Sequence, residues 1–346
     1  MISENALETA IRRKLLSEAQ ADGLRTIEAE LARSGTEPQD EEKLRFVSGF
    51  GDIFVTIGLL LFLGATGYFG TRIAGDPAGA FIIAVASWLL AEFFTRIRRM
   101  ALPSIVLLVS FAGAVFLTLL LLITPDLRVS SDSAKGLAFV GAGLGTAVAA
   151  LLHYARFHVP ITVAAGAAAL VAIFIGVLEV IGLKMSDGAL NPVLFVSGLA
   201  VFAAAMRFDS ADPLRVTRRT DIAFWLHLLA APLIVHPLVS GIWSGEEVSS
   251  ARAFAVLGVF LLLGIVAVLV NRRAILVSAL AYAGAAFGSL IDKVGLSDSA
   301  MPLTLLALGA FVLLLSAGWT LVRTKLLRLV PERYRRSLPP DLAVPT

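Results

Sequence analysis

The sequence predicts an all-α fold: a polytopic transmembrane helix bundle of ten spans with a short cytoplasmic N-terminal helical hairpin. Two observations carry this expectation. From Ile53 onward the chain is a succession of apolar blocks joined by short polar turns, and about 18 or more apolar residues in a row is the length a bilayer demands of a helix. Lys and Arg also alternate between successive turns, so that 23 of the 29 fall on one side. Basic residues are retained in the cytoplasm, which orients the chain and predicts that both termini lie there.

The expected spans are Ile53–Phe69, Ala78–Phe94, Leu102–Thr124, Gly136–Leu152, Val159–Gly182, Leu190–Met206, Ile222–Pro237, Ala253–Val270, Ala274–Ile291 and Met301–Val322. The cytoplasmic turns then hold Arg96, Arg98 and Arg99, then Arg156, then Arg207, Arg215, Arg218 and Arg219, then Arg272 and Arg273. The opposite turns carry acids such as Asp76, Asp126, Asp187 and Glu247 and are too short for an external domain. Residues 1–45 form the N-terminal segment and linker, 46–325 the transmembrane domain and 326–346 a basic cytoplasmic tail. The expected location is the bacterial inner (plasma) membrane.

Composition agrees with this class. Of 346 residues 58% are hydrophobic and 16% charged, against about 25% charged in soluble domains. The net charge of +3 sits at helix ends and in the tail, where the lipid bilayer and its anionic lipids, not nucleic acid, are the expected partner. The absence of cysteine excludes disulfides, thiolate metal sites, iron–sulfur clusters and Cys nucleophiles. Ile2 to Arg45 is polar and lacks the apolar core of a cleavable signal peptide, so insertion is expected to start with the first span.

The N-terminal segment reads as two amphipathic helices. Ser3 is placed to cap the first, in which Leu7, Ile11 and Leu15 share a face. Asp22-Gly23 signals a turn, after which Leu24, Ile27 and Leu31 restart the pattern. With 10 acids against 7 bases up to Arg45, the segment is ill suited to anionic lipid. Residues 3–34 are therefore expected to dock on the cytoplasmic face or on a cytoplasmic protein partner. Basic residues entering the odd-numbered spans (Arg45, Arg99, Arg156, Arg215, Arg273) recur at intervals of 54, 57, 59 and 58. Either a duplicated hairpin or the fixed length of two spans and two turns accounts for that period.

Ionisable groups inside a span are functional candidates by default. Glu92, four residues before Arg96, reads as an interfacial ion pair, and Glu179 and His153 also read as interfacial. The seventh span, TDIAFWLHLLAAPLIVHPL, is the exception, with Asp221, Trp225, His227, Pro232 and His236 as candidate cavity or proton-handling residues. Proline frees a backbone carbonyl and is expected to kink this helix where neighbours or water satisfy that group. His227 lies about two turns inside; it is either a buried hydrogen-bonded histidine or a proton carrier with a pKa near the unperturbed value of about 6.5. Nine residues separate it from His236, which puts the two on opposite helix faces and argues against a shared metal. The preceding turn, RFDSADPLRVTRRTD, offers Arg207, Asp209, Asp212, Arg215, Arg218 and Arg219 as an ion-pair network or anion site.

No catalytic constellation, cofactor motif or metal-ligand spacing is present. GAGLG at Gly141–Gly145 lies within an apolar span, so it reads as close helix packing, as do Gly284 and Gly288. The entry RFVSGFGDIFVTIG and the stretches LLHYARFHVPITV and RRTDIAFWLHLLAAPLIVHP resemble those of a class of uncharacterised bacterial multi-pass inner-membrane proteins. The resemblance implies a polar helical N-terminal segment followed by eight to ten spans, with no activity attached. By span count and cytoplasmic termini the chain is also similar to ten-helix drug/metabolite-type exporters, although it has no five-plus-five internal similarity. The function expected is transporter-like, for a small apolar or weakly charged solute or a lipid. The alternative is a non-transporting scaffold or sensor engaging a partner through its N-terminal segment; an enzyme ranks third.

Overall fold

The computed structural model describes residues 4–13, 15–34, 50–126, 131–184, 187–212, 217–243, 249–293, 299–335 and 338. All the regular secondary structure it describes is helical. The chain divides into two compact units, one containing residues 1–43 and the other residues 44–340.

The first unit holds α1 (Glu4–Arg12) and α2 (Glu18–Ser34). The expected break at Asp22-Gly23 does not occur, for both residues lie inside α2. The break falls one turn earlier, because Ser17 and Gln20 form a capping box. The Gln20 amide donates to Ser17 Oγ at 3.2 Å and the Ser17 amide donates to Gln20 Oε1 at 3.0 Å. Leu7 and Ala21 are buried in this unit, whereas Leu15 is exposed. The expected Ser3 cap lies outside the described residues.

The second unit runs α3 (Phe50–Ala74), α4 (Asp76–Ala91), a π turn (Glu92–Ile97), α5 (Ala101–Ile123), α6 (Asp132–Phe157), α7 (Ile161–Val180), α8 (Asp187–Ser210), α9 (Arg218–Trp243), α10 (Ser250–Val270), α11 (Ala274–Lys293), α12 (Ala300–Ala317), α13 (Trp319–Leu329) and α14 (Glu332–Arg335). Among the described residues, the eight helices α3 to α10 are long and apolar enough to cross a membrane, the mark of a multi-pass membrane protein. The expected ninth span coincides with α11, whose described apolar stretch is Tyr282–Ile291. The expected tenth is not straight: the chain bends by 72° between α12 and α13, where Gly318 interrupts the apolar run.

Local chemistry accounts for the boundaries. Ser131 and Ser249 cap α6 and α10, accepting from the amides of Ala134 and Arg252 at 3.3 and 3.2 Å. Three junctions at one end of the unit turn through non-glycine residues of positive φ: Arg99 at 54°, His158 at 56° and Asn271 at 57°. Each follows the end of a helix, where a left-handed residue closes the last turn. Large apolar side chains point outward along the spans, with Leu61, Leu151 and Leu314 between 70% and 74% exposed, as surfaces meeting lipid require.

Small residues let the helices approach. A methyl group added at Gly176 of α7 would lie 2.6 Å from the Gly136 carbonyl of α6, and one at Gly143 would lie 2.9 Å from the Ala169 carbonyl. Gly141 and Gly145 instead make room for Ile123 and Leu119 of α5. Helix α9 is the most enclosed span, with 56% of its apolar window buried against 22–44% elsewhere. It continues as one helix through Pro232 and Pro237. Two lost hydrogen bonds, one at each proline, are tolerable in a helix held on several sides by its neighbours. Trp319, Arg323 and Leu327 form the buried stripe of the amphipathic α13.

Candidate functional site

The site lies at the end of the second unit where α4, α6, α8 and α10 finish and α5, α7, α9 and α11 begin. The π turn closing α4 carries Glu92, whose carboxylate accepts from Arg156 of α6 through Nε at 2.8 Å and Nη2 at 2.9 Å, and from Arg96 at 3.3 Å. The fork-on-carboxylate geometry orients Arg156, while its exposure to solvent keeps the pair's contribution to stability small. Beside it opens a cavity of about 670 Å³ with Arg96, Arg99, Arg156, Arg218, Thr95 and Asp221 in its wall.

Thr95 distinguishes this wall. The helical threonines 56, 66 and 118 each donate to the carbonyl four residues back, at 2.7 Å in all three cases. Thr95 sits in the π turn, where the wider coil changes the i to i−4 relation. Its buried hydroxyl has no hydrogen-bond partner among the described residues.

A second cavity, of about 580 Å³, lies between α5, α6, α7 and α9. Ala164, Ala165, Ala168, Ala169 and Ala172 of α7 line it, together with Trp225, Leu228, Leu229 and Pro232 of α9. The methyl side chains of α7 leave the space open. Thr146 of α6 is a polar residue in this apolar wall, with a buried hydroxyl that has no hydrogen-bond partner among the described residues. Pro232 has no N–H to give the Leu228 carbonyl four residues back. Trp225 lines both cavities.

On the opposite side of α9 is a buried charge cluster. His227 Nε2 lies 2.9 Å from Asp209 Oδ2. Arg272 donates from Nε to that same oxygen at 3.1 Å and from Nη2 to Asp209 Oδ1. His227 and Arg272 are essentially inaccessible and Asp209 is 5% exposed. A buried charge must be paired and hydrogen-bonded to be tolerated, and here α8, α9 and the turn between α10 and α11 each supply one member. Asp212 closes the neighbouring turn: its Oδ2 accepts from the Thr217 amide at 2.8 Å, the Thr217 hydroxyl at 2.7 Å and the Thr220 hydroxyl at 2.9 Å. Asn271 Oδ1 accepts from Trp319 Nε1 at 2.7 Å, and the Arg273 guanidinium lies 5.1 Å above the Trp319 ring.

The sequence-derived candidates thus separate. Trp225 and Pro232 line the apolar cavity, and Asp221 lines the basic one. His227 lines neither and is held in the charge cluster. His236 is exposed, with Nδ1 2.6 Å from the Tyr282 hydroxyl. Of the loop candidates, Asp209 and Asp212 turn inward, Arg207 and Arg219 are exposed, Arg218 joins the basic cavity and Arg215 lies outside the described residues. His153, expected at the interface, is buried among Trp88, Phe111 and Phe157, with Nδ1 3.3 Å from Thr162 Oγ1.

Sequence reasoning treated Arg272 only as an orientation signal and missed Arg156 as the partner of Glu92. Both pairings join turns far apart in sequence, 63 and 64 residues respectively. The spacing rules used for short-range pairs give no sign of them. The alanine run of α7 was visible but carried no chemistry by itself. Among the described residues, no three His, Asp or Glu side chains cluster as a metal site would require. No protein-family model, curated protein or solved structure matches the chain.

Proposed function

We propose that the protein is a transporter-like integral membrane protein whose substrate is a small apolar or weakly charged solute or a lipid, held in the cavity beside Trp225 and Pro232. In this reading it crosses the bacterial inner membrane ten times, with α11 and the bent α12–α13 pair completing the eight clear spans, and both termini are cytoplasmic. The observation that carries the proposal is the wall of the 580 Å³ cavity. It is apolar, formed by apolar helices, and lined also by Thr146 and Pro232. Pockets for small molecules combine an apolar wall with a few polar groups in this way.

A second reading is a non-transporting scaffold or sensor that engages a cytoplasmic partner through residues 3–34. The location of His227 favours it, since a histidine locked to Asp209 and Arg272 away from both cavities is poorly placed to carry protons with a substrate. A flux measurement separates the readings. Purified protein in liposomes is given nitrobenzoxadiazole-labelled short-chain lipids, one neutral and one anionic, and their loss to the outer leaflet is followed by dithionite quenching. Transport requires faster movement of at least one probe than in protein-free liposomes. Equal rates for both probes with and without protein leave the scaffold reading.

A further inference from the structure

We infer that the basic and alanine-lined cavities form one composite site for an anionic membrane phospholipid, with its phosphate at the arginine-lined mouth and one acyl chain along α7. The inference deepens the proposed function, resting on the lipid among its substrate classes, and it concerns binding rather than movement.

The walls of the two cavities follow one another along three helices and share Trp225. On α5 the wall passes from Ser104 and Ile105 to Leu108 and Val109, then to Ala112. On α7 it passes from Pro160 to Ile161 and Ala164, and on α9 from Asp221 through Trp225 to Leu229 and Pro232. On α5 and α9 the steps are of three or four residues and follow single helical faces. From Asp221 to Pro232 the stripe is about 16 Å long at about 1.5 Å per residue, close to the roughly 15 Å of hydrocarbon in one leaflet. The groove therefore has the length of an acyl chain and begins where a headgroup would sit.

Charge selects the headgroup. Arg96, Arg99, Arg156 and Arg218 line the mouth together with one acid, Asp221, while Glu92 engages Arg96 and Arg156 from beside it. Counting these six groups leaves a surplus of two positive charges. Arg99 and Arg218 make no ion pair with a described residue, so both are available to an incoming anion. Thr95 adds an independent sign of a ligand. Thr95 is 9% exposed, and its buried hydroxyl has no hydrogen-bond partner among the described residues. A phosphate oxygen at the mouth would accept from it and from the guanidinium groups, as arginine forks favour.

The test is native mass spectrometry of the full chain in detergent, with dioleoylphosphatidylglycerol, dioleoylphosphatidylcholine or inorganic phosphate added separately. Folding of every variant is checked by size-exclusion chromatography. Wild type is expected to retain one phosphatidylglycerol about tenfold more strongly than phosphatidylcholine, the scale of a charge-assisted contact. Arg99→Gln with Arg218→Gln, both exposed positions, should remove that preference by lowering phosphatidylglycerol retention more than phosphatidylcholine retention, since the second lipid shares the phosphate but carries no net charge. Ala168→Trp, which fills the groove from an exposed position, should reduce phosphatidylglycerol retention without affecting the arginines. Equal retention of the two lipids by wild type overturns the inference, as does a preference that survives the arginine changes. Phosphate that displaces phosphatidylglycerol and binds equally well to the Ala168→Trp protein would identify a soluble-anion site instead. Lipid selectivity without flux would defeat the transport reading and leave this one standing; flux without selectivity would do the reverse.

Discussion

Arg272 holds both carboxylate oxygens of Asp209 inside the protein, joining the end of α8 to the turn between α10 and α11 across 63 residues of sequence. Removing one member leaves an uncompensated buried charge, which destabilises proteins by about 3–5 kcal/mol. Arg272→Met is therefore expected to lower the melting temperature in detergent markedly. Arg272→Lys should not restore it, because an ammonium cannot reproduce the two-pronged contact. A melting temperature near wild type for Arg272→Met would mean that the pair does not hold these helices together.

The ion pair at Glu92 should behave differently. Glu92 and Arg156 are partly open to solvent, where screening leaves little net stabilisation. Glu92→Gln is expected to leave the melting temperature close to wild type while adding one positive charge at the mouth of the basic cavity. Native mass spectra should then show stronger phosphatidylglycerol retention. A large fall in melting temperature would show that Glu92 is structural.

The α6–α7 contact depends on glycine. Gly176→Leu would force side-chain atoms into the Gly136 carbonyl and the Val140 amide of the neighbouring backbone, and overpacking of this kind destabilises by about 1–3 kcal/mol or more. Gly113→Ala, which also lines the apolar cavity but meets nothing within 4 Å, is the matched control. Thermal unfolding in detergent should separate the two variants. Similar melting curves would show that α6 and α7 are not in backbone contact.

Orientation rests on charge alone and has a direct check. Reporter fusions after Glu42 and after Arg336 should both be cytoplasmic, and one at Glu247 external. A periplasmic reporter after Arg336 would contradict an even span count.

The helices were legible in the sequence because hydropathy over some twenty residues averages out local exceptions. Pro232 and Pro237 did not break α9, and the glycines at 141 and 145 marked close packing as read. What was not legible depended on competition or distance. Ser17 and Gln20 form reciprocal hydrogen bonds that outweigh the turn tendency of Asp22-Gly23, so α2 starts earlier than expected. Gly318 bends the last apolar run because Trp319, Arg323 and Leu327 bury one face after it, a pattern hidden within a hydrophobic stretch. His227 is buried and hydrogen-bonded, one of the two alternatives its position left open, yet its partners Asp209 and Arg272 come from two other turns. Both cavities likewise arise from faces of three or more helices, and no local pattern places those faces together.

The most direct measurement is the flux of nitrobenzoxadiazole-labelled phosphatidylglycerol in proteoliposomes containing wild type or Ala168→Trp, at matched protein density and with matching melting temperatures. Filling the alanine-lined cavity should reduce the rate to that of protein-free liposomes while the protein stays folded. A wild-type rate above background that Ala168→Trp leaves unchanged would contradict a substrate path through this cavity.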